Sequence, residues 1–122
     1  LTDYMHLTDM EDLGPAFRAK DERMMVEAVS KRLGKDQNDL KALNALGVFY
    51  LEQGKLGLAR ILFTRAQKAH PEEPGLYNNL GVIFLQENKQ RPAIMSFRKA
   101  LEIKSSYTVG AANLGSIFVE YK

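Results

Sequence analysis

Few residues of this chain have the type and spacing that catalysis or metal binding requires. The two histidines, His6 and His70, lie far apart, and neither has a second metal-ligating side chain four residues away. An imidazole at His70, just before a proline, suits the end of a helix because it interacts with the helix dipole. Glu72 and Glu73 fit a solvated turn better than a pair of catalytic carboxylates. We therefore predict that the chain is not an enzyme and uses no metal or other cofactor.

The remaining motifs of enzyme sites are absent from the sequence. There is no cysteine, which excludes disulfides, thiolate metal sites and a cysteine nucleophile. No glycine-rich phosphate loop and no nucleophile elbow occur. The chemistry that remains is recognition by surface side chains.

The bulk composition fits one globular domain. The chain has 122 residues, of which 45% are hydrophobic and 26% charged, and no apolar run approaches the ~18–20 residues that span a bilayer. Residues 1–30 hold seven acids and three bases, whereas the remainder holds eight acids and 14 bases. Such asymmetry fits scattered surface charge, or self-association of an acidic end with a basic body. We expect no membrane insertion in this stretch and no small-molecule substrate.

The strongest pattern is a recurrence at one fixed spacing, which we call the repeat interval. Leu46-Gly47 recurs as Leu80-Gly81 and again as Leu114-Gly115. The positions that agree at the same spacing are Tyr50 with Phe84 and Phe118, Ala59 with Ala93, Phe63 with Phe97, and Ala66 with Ala100. A period of about 34 residues with these residue types is the signature of the tetratricopeptide repeat. The chain resembles that family over about residues 38–122.

The residue pattern supports helix pairs independently of the resemblance. Leu43, Leu46, Gly47 and Tyr50 share one helix face, and the stripe from Ala59 to Ala66 does the same on a second helix. A glycine inside a helix costs about 1 kcal/mol, so its recurrence predicts close approach of the facing backbone. We predict an all-α, right-handed α-solenoid of antiparallel helix pairs with about seven helices.

The domain organisation follows from the repeat interval. Residues 1–37 are predicted to be a divergent capping helix pair, with a turn at Ala19-Lys20-Asp21 and a helix from Glu22 to Leu33. Residues 38–71 and 72–105 are predicted repeats, and 106–122 the first helix of a further repeat. Because the chain starts without Met and stops after one helix, we expect a processed fragment whose repeats continue after Lys122.

A second line on each first helix remains after the core stripe is assigned. It consists of Lys41, Asn44, Val48 and Leu51, then Gly75, Asn78, Val82 and Leu85, and then Val109, Ala112, Ser116 and Val119. Its valines and leucines make it too apolar for a surface that only meets water. The resemblance implies that this line faces the concave groove, where partner segments bind.

Two asparagines beside this line, Asn79 and Asn113, are separated by the repeat interval. The resemblance implies that an asparagine at this place grips the backbone of an extended peptide, since its amide offers one donor and one acceptor. Ala45 interrupts the series in the first full repeat. The predicted partner-binding groove consists of Lys41, Asn44, Val48, Leu51, Asn78, Asn79, Val82, Leu85, Ala112, Asn113 and Ser116.

The function implied is a non-catalytic scaffold or adaptor that binds an extended or helical segment of another protein. The repeats resemble bacterial adaptors of envelope-assembly and motility complexes, which implies a location in the cytoplasm, periplasm or cell envelope. One alternative is a self-associating module that forms homo-oligomers through its ends and whose groove holds its own arm, formed by Tyr4, Met5, Leu7, Met10 and Leu13. Another is nucleic-acid binding through the basic second helices, against which the lack of interleaved aromatic residues argues.

Overall fold

The computed structural model describes residues 1–120 of the chain, with side chains as far as residue 118. After a short 3-10 helix (Leu7–Asp9) come the α-helices α1 (Gly14–Ala19), α2 (Glu22–Lys35), α3 (Leu40–Glu52), α4 (Leu56–Ala69), α5 (Pro74–Gln86), α6 (Gln90–Ile103) and α7 (Thr108–Glu120). No strand occurs within residues 1–120. The predicted all-α fold class with about seven helices is therefore confirmed.

The helices belong to two compact units. The first unit consists of residues 4–70 and contains α1 to α4, with α3 and α4 forming a hairpin and α2 packed on α3. The second unit combines residues 1–3 with the residues from 71 onward. In it α5 and α6 form a hairpin, and α7 packs mainly on α6. The second unit is therefore discontinuous in sequence, since its first three residues come from the start of the chain.

Three left-handed residues separate successive helices at the repeat interval seen in the sequence. Lys20, Gly54 and Asn88 have φ values of 55°, 76° and 60°. They lie in the turns before α2, α4 and α6. A residue in this conformation ends a helix by turning the chain out of its axis, and glycine and asparagine adopt it with little strain. The turn predicted around Ala19-Lys20-Asp21 therefore forms, although lysine is a less usual residue there.

The helix starts also follow local chemistry. Asp21 caps α2 by accepting a hydrogen bond from the Met24 backbone N–H at 3.1 Å. Asp39 caps α3 in the same way, with the Ala42 N–H at 2.9 Å. Pro74 opens α5, where its missing N–H is not needed.

Within each hairpin a glycine faces an aromatic ring. A Cβ atom added to Gly47 would lie 2.5 Å from Phe63 Cε1, and one added to Gly81 would lie 2.5 Å from Phe97 Cε1. Both rings are fully buried. Close packing thus explains the recurring glycine as predicted, but the neighbour is the phenylalanine ring and not the facing backbone.

The segment predicted as a divergent cap contains two helices of unequal length. The second, α2, extends two residues beyond the predicted Glu22 to Leu33. The first, α1, is only six residues long and starts at Gly14-Pro15. Residues 4–13 before it form no α-helix. The predicted boundaries 1–37, 38–71, 72–105 and 106–122 stay predictions.

Candidate functional site

Two asparagine side chains in the second unit each hold both backbone groups of one residue in the segment Leu1–Asp3. Asn79 Oδ1 accepts from the Asp3 backbone N–H at 2.7 Å, and Asn79 Nδ2 donates to the Asp3 carbonyl at 3.1 Å. Asn113 Oδ1 accepts from the Leu1 nitrogen, here a terminal ammonium group, at 2.6 Å, and Asn113 Nδ2 donates to the Leu1 carbonyl at 2.7 Å. We call Asn79 and Asn113 the asparagine clamp.

The clamp holds two residues of the segment that are separated by one residue. Its four hydrogen bonds go to the backbone groups of Leu1 and of Asp3. This alternation is that of a β-strand, in which residues two apart present their backbone groups to the same side. An asparagine side chain carries the same donor and acceptor as a peptide unit and so replaces a neighbouring strand.

Asn78 links the two halves of the clamp. Its Nδ2 donates to the Leu1 carbonyl at 2.9 Å and to Asn79 Oδ1 at 3.3 Å. Its Oδ1 accepts from Asn113 Nδ2 at 2.8 Å. All three asparagines are at most 5% exposed, so their amides need these partners or water to offset the cost of burial.

The positions of these residues follow from the helices that carry them. Asn78 and Asn79 lie near the middle of α5, and Asn113 lies one repeat interval after Asn79, in α7. Because α5 and α7 are the first helices of consecutive predicted repeats, equivalent positions point to the same side. The structure thus brings together Asn78, Asn79 and Asn113, all of which the sequence had indicated.

A fourth residue, Tyr107, contacts the segment through the Asp3 side chain. The Tyr107 hydroxyl donates to Asp3 Oδ2 at 2.6 Å. Burial raises the pKa of Tyr107 well above its usual value, and the hydrogen bond to Asp3 and the negative charges of Asp3 and Glu73 raise it further. Tyr107 is therefore a neutral hydrogen-bond donor at every physiological pH.

The sequence reasoning missed Tyr107, although a signal was present. Tyr107 is preceded at the repeat interval by Asp39 and Glu73, which are the N-cap residues of α3 and α5. Tyr107 thus replaces the acidic residue that the two preceding repeats carry at this position. The reason in the structure is its contact with Asp3.

The other groove residues predicted in the second unit differ in exposure. Val82 and Leu85 are half-buried and pack against a core cluster of Ala93, Phe97 and Ile117. Ala112 and Ser116 on α7 are exposed. The side chain of Val119, which continues their line, lies outside the described residues. The hydrogen bonds that hold residues 1–3 come from Asn78, Asn79, Asn113 and Tyr107, and not from Val82, Leu85, Ala112 or Ser116.

In the first unit one predicted groove residue, Lys41, contacts the arm, and the other three are buried. Lys41 Nζ donates to the Met5 carbonyl at 2.8 Å. Asn44, Val48 and Leu51 are at most 3% exposed, so in this structure they belong to the packed interior. Their assignment to a partner-binding surface stays a prediction.

The arm residues themselves are largely buried in the first unit. Met5, Leu7 and Leu13 are at most 8% exposed, whereas Tyr4 is 37% exposed. The Tyr4 ring meets Phe17 edge-on at 5.6 Å, and its hydroxyl donates to Glu52. Partial burial, the hydrogen bond to Glu52 and the Glu52 charge raise the pKa of Tyr4 to about 12.

The residues that the structure describes hold no cluster of side chains suited to bind a metal ion. Residues 1–120 contain no group of three or more His, Asp or Glu side chains placed to hold a metal ion. His70 ends α4, and its Nε2 lies 2.5 Å from the Asn38 carbonyl, which is a structural contact. None of the helices described is long and apolar enough to cross a membrane.

Comparison with known proteins gives one consistent result. Two family models, both described as tetratricopeptide repeat, match residues 26–74 and residues 74–107. Together they run from Val26, inside α2, through α3 to α6 and end at Tyr107. No curated protein matches the chain.

Proposed function

Since the chain belongs to the tetratricopeptide repeat family, whose repeats generally mediate protein–protein interaction, we propose that it is a non-catalytic scaffold that binds an extended segment of a partner protein. The observation that carries the proposal is the asparagine clamp, which pairs with both backbone groups of Leu1 and of Asp3. A site that holds backbone groups at alternate residues suits any extended chain, whatever its origin.

The strength of such binding can be bounded from the contacts. Each clamp hydrogen bond contributes about 0.5–1.5 kcal/mol net, so the four bonds together supply roughly 2–6 kcal/mol. Association itself costs at least about 4 kcal/mol of translational and rotational freedom. Backbone pairing alone therefore gives weak binding. Apolar contacts from the partner to exposed parts of Val82 and Leu85 would have to supply the rest.

Residues 1–3 occupy the same clamp, so a partner must displace them. A tethered segment competes at an effective concentration in the millimolar range for a short flexible linker. The substitution Asp3→Pro removes the N–H that Asn79 accepts and the carboxylate that Tyr107 contacts. This variant should open the site without touching the helices.

A pull-down from cell lysate tests the proposal with matched variants. We expect a protein that the parent chain retains, that Asp3→Pro retains more strongly, and that the double variant Asn79→Ala/Val82→Glu loses. Lys99→Gln, a change at an exposed residue of α6 outside the predicted groove, is the control and should behave like the parent. Equal retention by the double variant would place binding on another surface, provided that its circular dichroism is that of the parent.

Self-association is the second candidate, favoured by the occupancy of the clamp by the chain's own residues. If the segment Leu1–Asp3 of one copy entered the clamp of another, the chain would form dimers or open chains of molecules. Sedimentation at increasing concentration should then show a rising mass that Asp3→Pro abolishes. A constant monomer mass would remove this candidate and leave the intramolecular contact as a competitor of the partner.

The setting that we propose is a bacterial envelope-assembly or motility complex. It is supported by the resemblance of the repeats to bacterial adaptors of such complexes. Identification of the retained protein by mass spectrometry tests this setting directly, since an unrelated partner would refute it.

A further inference from the structure

The asparagine clamp cannot by itself choose between partner sequences. Its four hydrogen bonds to the segment go to backbone groups of Leu1 and Asp3, and Leu1 is 74% exposed. Among residues 1–3, Asp3 is the one whose side chain makes a described hydrogen bond to the second unit, through Oδ2 to the Tyr107 hydroxyl at 2.6 Å. The position of Asp3 is therefore where the Tyr107 hydroxyl can distinguish one side chain from another.

We infer that Tyr107 selects partner segments that carry aspartate or glutamate two residues after the residue held by Asn113. This inference rests on the proposed function. The segment Leu1–Asp3 serves as the template of such a partner, with a freely chosen first residue and an acid at the third. The partner class is thus an extended acidic segment.

The seat of the Tyr107 ring supports a dedicated role. A Cβ atom added to Gly110 would lie 2.9 Å from Tyr107 Cδ2 and 3.2 Å from Cε2, so the ring lies directly on this glycine. The residues that precede Gly110 at the repeat interval are Ala42 and Leu76. The tyrosine and the glycine that accommodates it thus occur together in one repeat. With Tyr107 only 7% exposed, the ring is held and its hydroxyl has a fixed direction.

The chemistry of a tyrosine hydroxyl suits a carboxylate acceptor. A hydrogen bond between a hydroxyl and a carboxylate is charge-assisted and stronger than a neutral one. If the partner carried alanine where Asp3 lies, Tyr107 would have no side-chain acceptor, and with asparagine there the hydrogen bond would be a neutral one. Glu73 adds a further negative charge near the Tyr107 hydroxyl and repels an acidic side chain of the partner there. This repulsion limits the preference of the site for aspartate over alanine. We expect about a tenfold difference in Kd between aspartate and alanine.

A titration with synthetic peptides tests the inference on the whole chain of 122 residues. The chain carries Asp3→Pro, which removes the hydrogen bonds of Asp3 to Asn79 Oδ1 and Tyr107 and so weakens the competition from its own segment. The peptides are acetyl-GLTXGG-amide with aspartate, asparagine, alanine or lysine at X. The readout is the shift of the Asn79 and Asn113 side-chain amide signals in nitrogen-15 NMR spectra. The same titrations are repeated with Tyr107→Phe added, which keeps the ring on Gly110 and removes the hydroxyl.

The outcomes separate the inference from the proposed function. We expect the aspartate peptide to bind about tenfold more tightly than the alanine peptide, and Tyr107→Phe to abolish that difference while leaving the alanine peptide unchanged. Equal Kd values for all peptides, with both asparagine signals shifting, would overturn the role of Tyr107 and keep the clamp. Peptides that shift neither signal at the highest soluble concentration would overturn the proposed clamp, and the inference with it.

Discussion

A methyl group at Gly81 should destabilise the second unit because it would enter the ring of Phe97. The added Cβ atom would lie 2.5 Å from Cε1, 2.8 Å from Cδ1 and 2.9 Å from Cζ of that ring. Ordinary contact begins at 3.4 Å, so the ring must retreat by roughly 1 Å. Phe97, Ala93 and Ala100 are all fully buried, which leaves the ring no open space.

Two effects of opposite sign determine the magnitude of Gly81→Ala. Overpacking a well-filled core costs about 1–3 kcal/mol. Replacing glycine by alanine inside a helix returns about 1 kcal/mol. Because three atoms of one rigid ring are affected at once, we expect the overpacking to lie near its upper range. The net loss of unfolding free energy should be about 1–2 kcal/mol.

Gly115→Ala is the matched control, since Gly115 follows Gly81 at the repeat interval, in α7. No atom lies within 4 Å of a Cβ added there, so only the gain in helix propensity acts. Urea denaturation followed by circular dichroism should show a lower midpoint for Gly81→Ala and a higher one for Gly115→Ala. Gly47→Ala, which meets Phe63 at 2.5 Å, should behave like Gly81→Ala. A higher midpoint for Gly81→Ala would refute the assigned packing.

Three further predictions concern the helix ends and the arm. Asp39→Ala removes the cap of α3 and should cost about 1 kcal/mol of unfolding free energy in urea denaturation. Gly54→Ala should lower the melting temperature although it meets no atom, because φ is +76° there, whereas Gly57→Ala inside α4 should not. The pKa of Tyr4 is raised to about 12, so the stability that Tyr4 contributes is complete below its unfolded pKa near 10 and is lost as the pH rises through 12. The unfolding free energies of Tyr4→Phe and of the parent should therefore converge above that pH, while the absorbance of tyrosinate reports the titration. A difference in unfolding free energy that stays the same at high pH would contradict the contact between Tyr4 and Glu52.

Much of the helical framework could be predicted from sequence because its determinants are local. The repeat interval indicated which loops are equivalent, and the left-handed residues Lys20, Gly54 and Asn88 confirm that equivalence. The aspartate before α3 acts as a cap because the N–H groups it satisfies lie within three residues. Glycine packing was also predictable in kind, but only the structure identified the ring of Phe97 as the neighbour.

The site was predictable only in part. Asn78, Asn79 and Asn113 could be singled out because they recur along one side of successive helices. The sequence also indicated the chain's own arm, from Tyr4 to Leu13, as an alternative occupant of the groove. It did not indicate residues 1–3, since the bonds from Leu1 and Asp3 join residues 76 to 112 positions apart. Residues 1–3 show no periodicity that would place them on α5 and α7. Periodicity describes helices, whereas residues 1–3 belong to no helix.

The predicted groove residues of the first full repeat show a second reason why the site could be predicted only in part. Val48 and Leu51 have the residue types of an apolar surface, and the sequence cannot tell whether such a surface meets a partner or the chain itself. In the structure both are buried within the first unit, which also contains Met5 and Leu7. Composition gives the apolar character of a surface, but tertiary structure decides what covers it.

The discontinuous second unit has a consequence for the order of folding. Its helices are hairpins whose contacts are near in sequence, so they can form quickly and separately. The bond from Leu1 to Asn113 instead closes a loop of 112 residues. Loop closure costs about 0.6 kcal/mol more for each doubling of length, so this step is slower and more costly than any hairpin. During synthesis the segment Leu1–Asp3 emerges before the helices that will hold it, and for that interval it is open to other proteins.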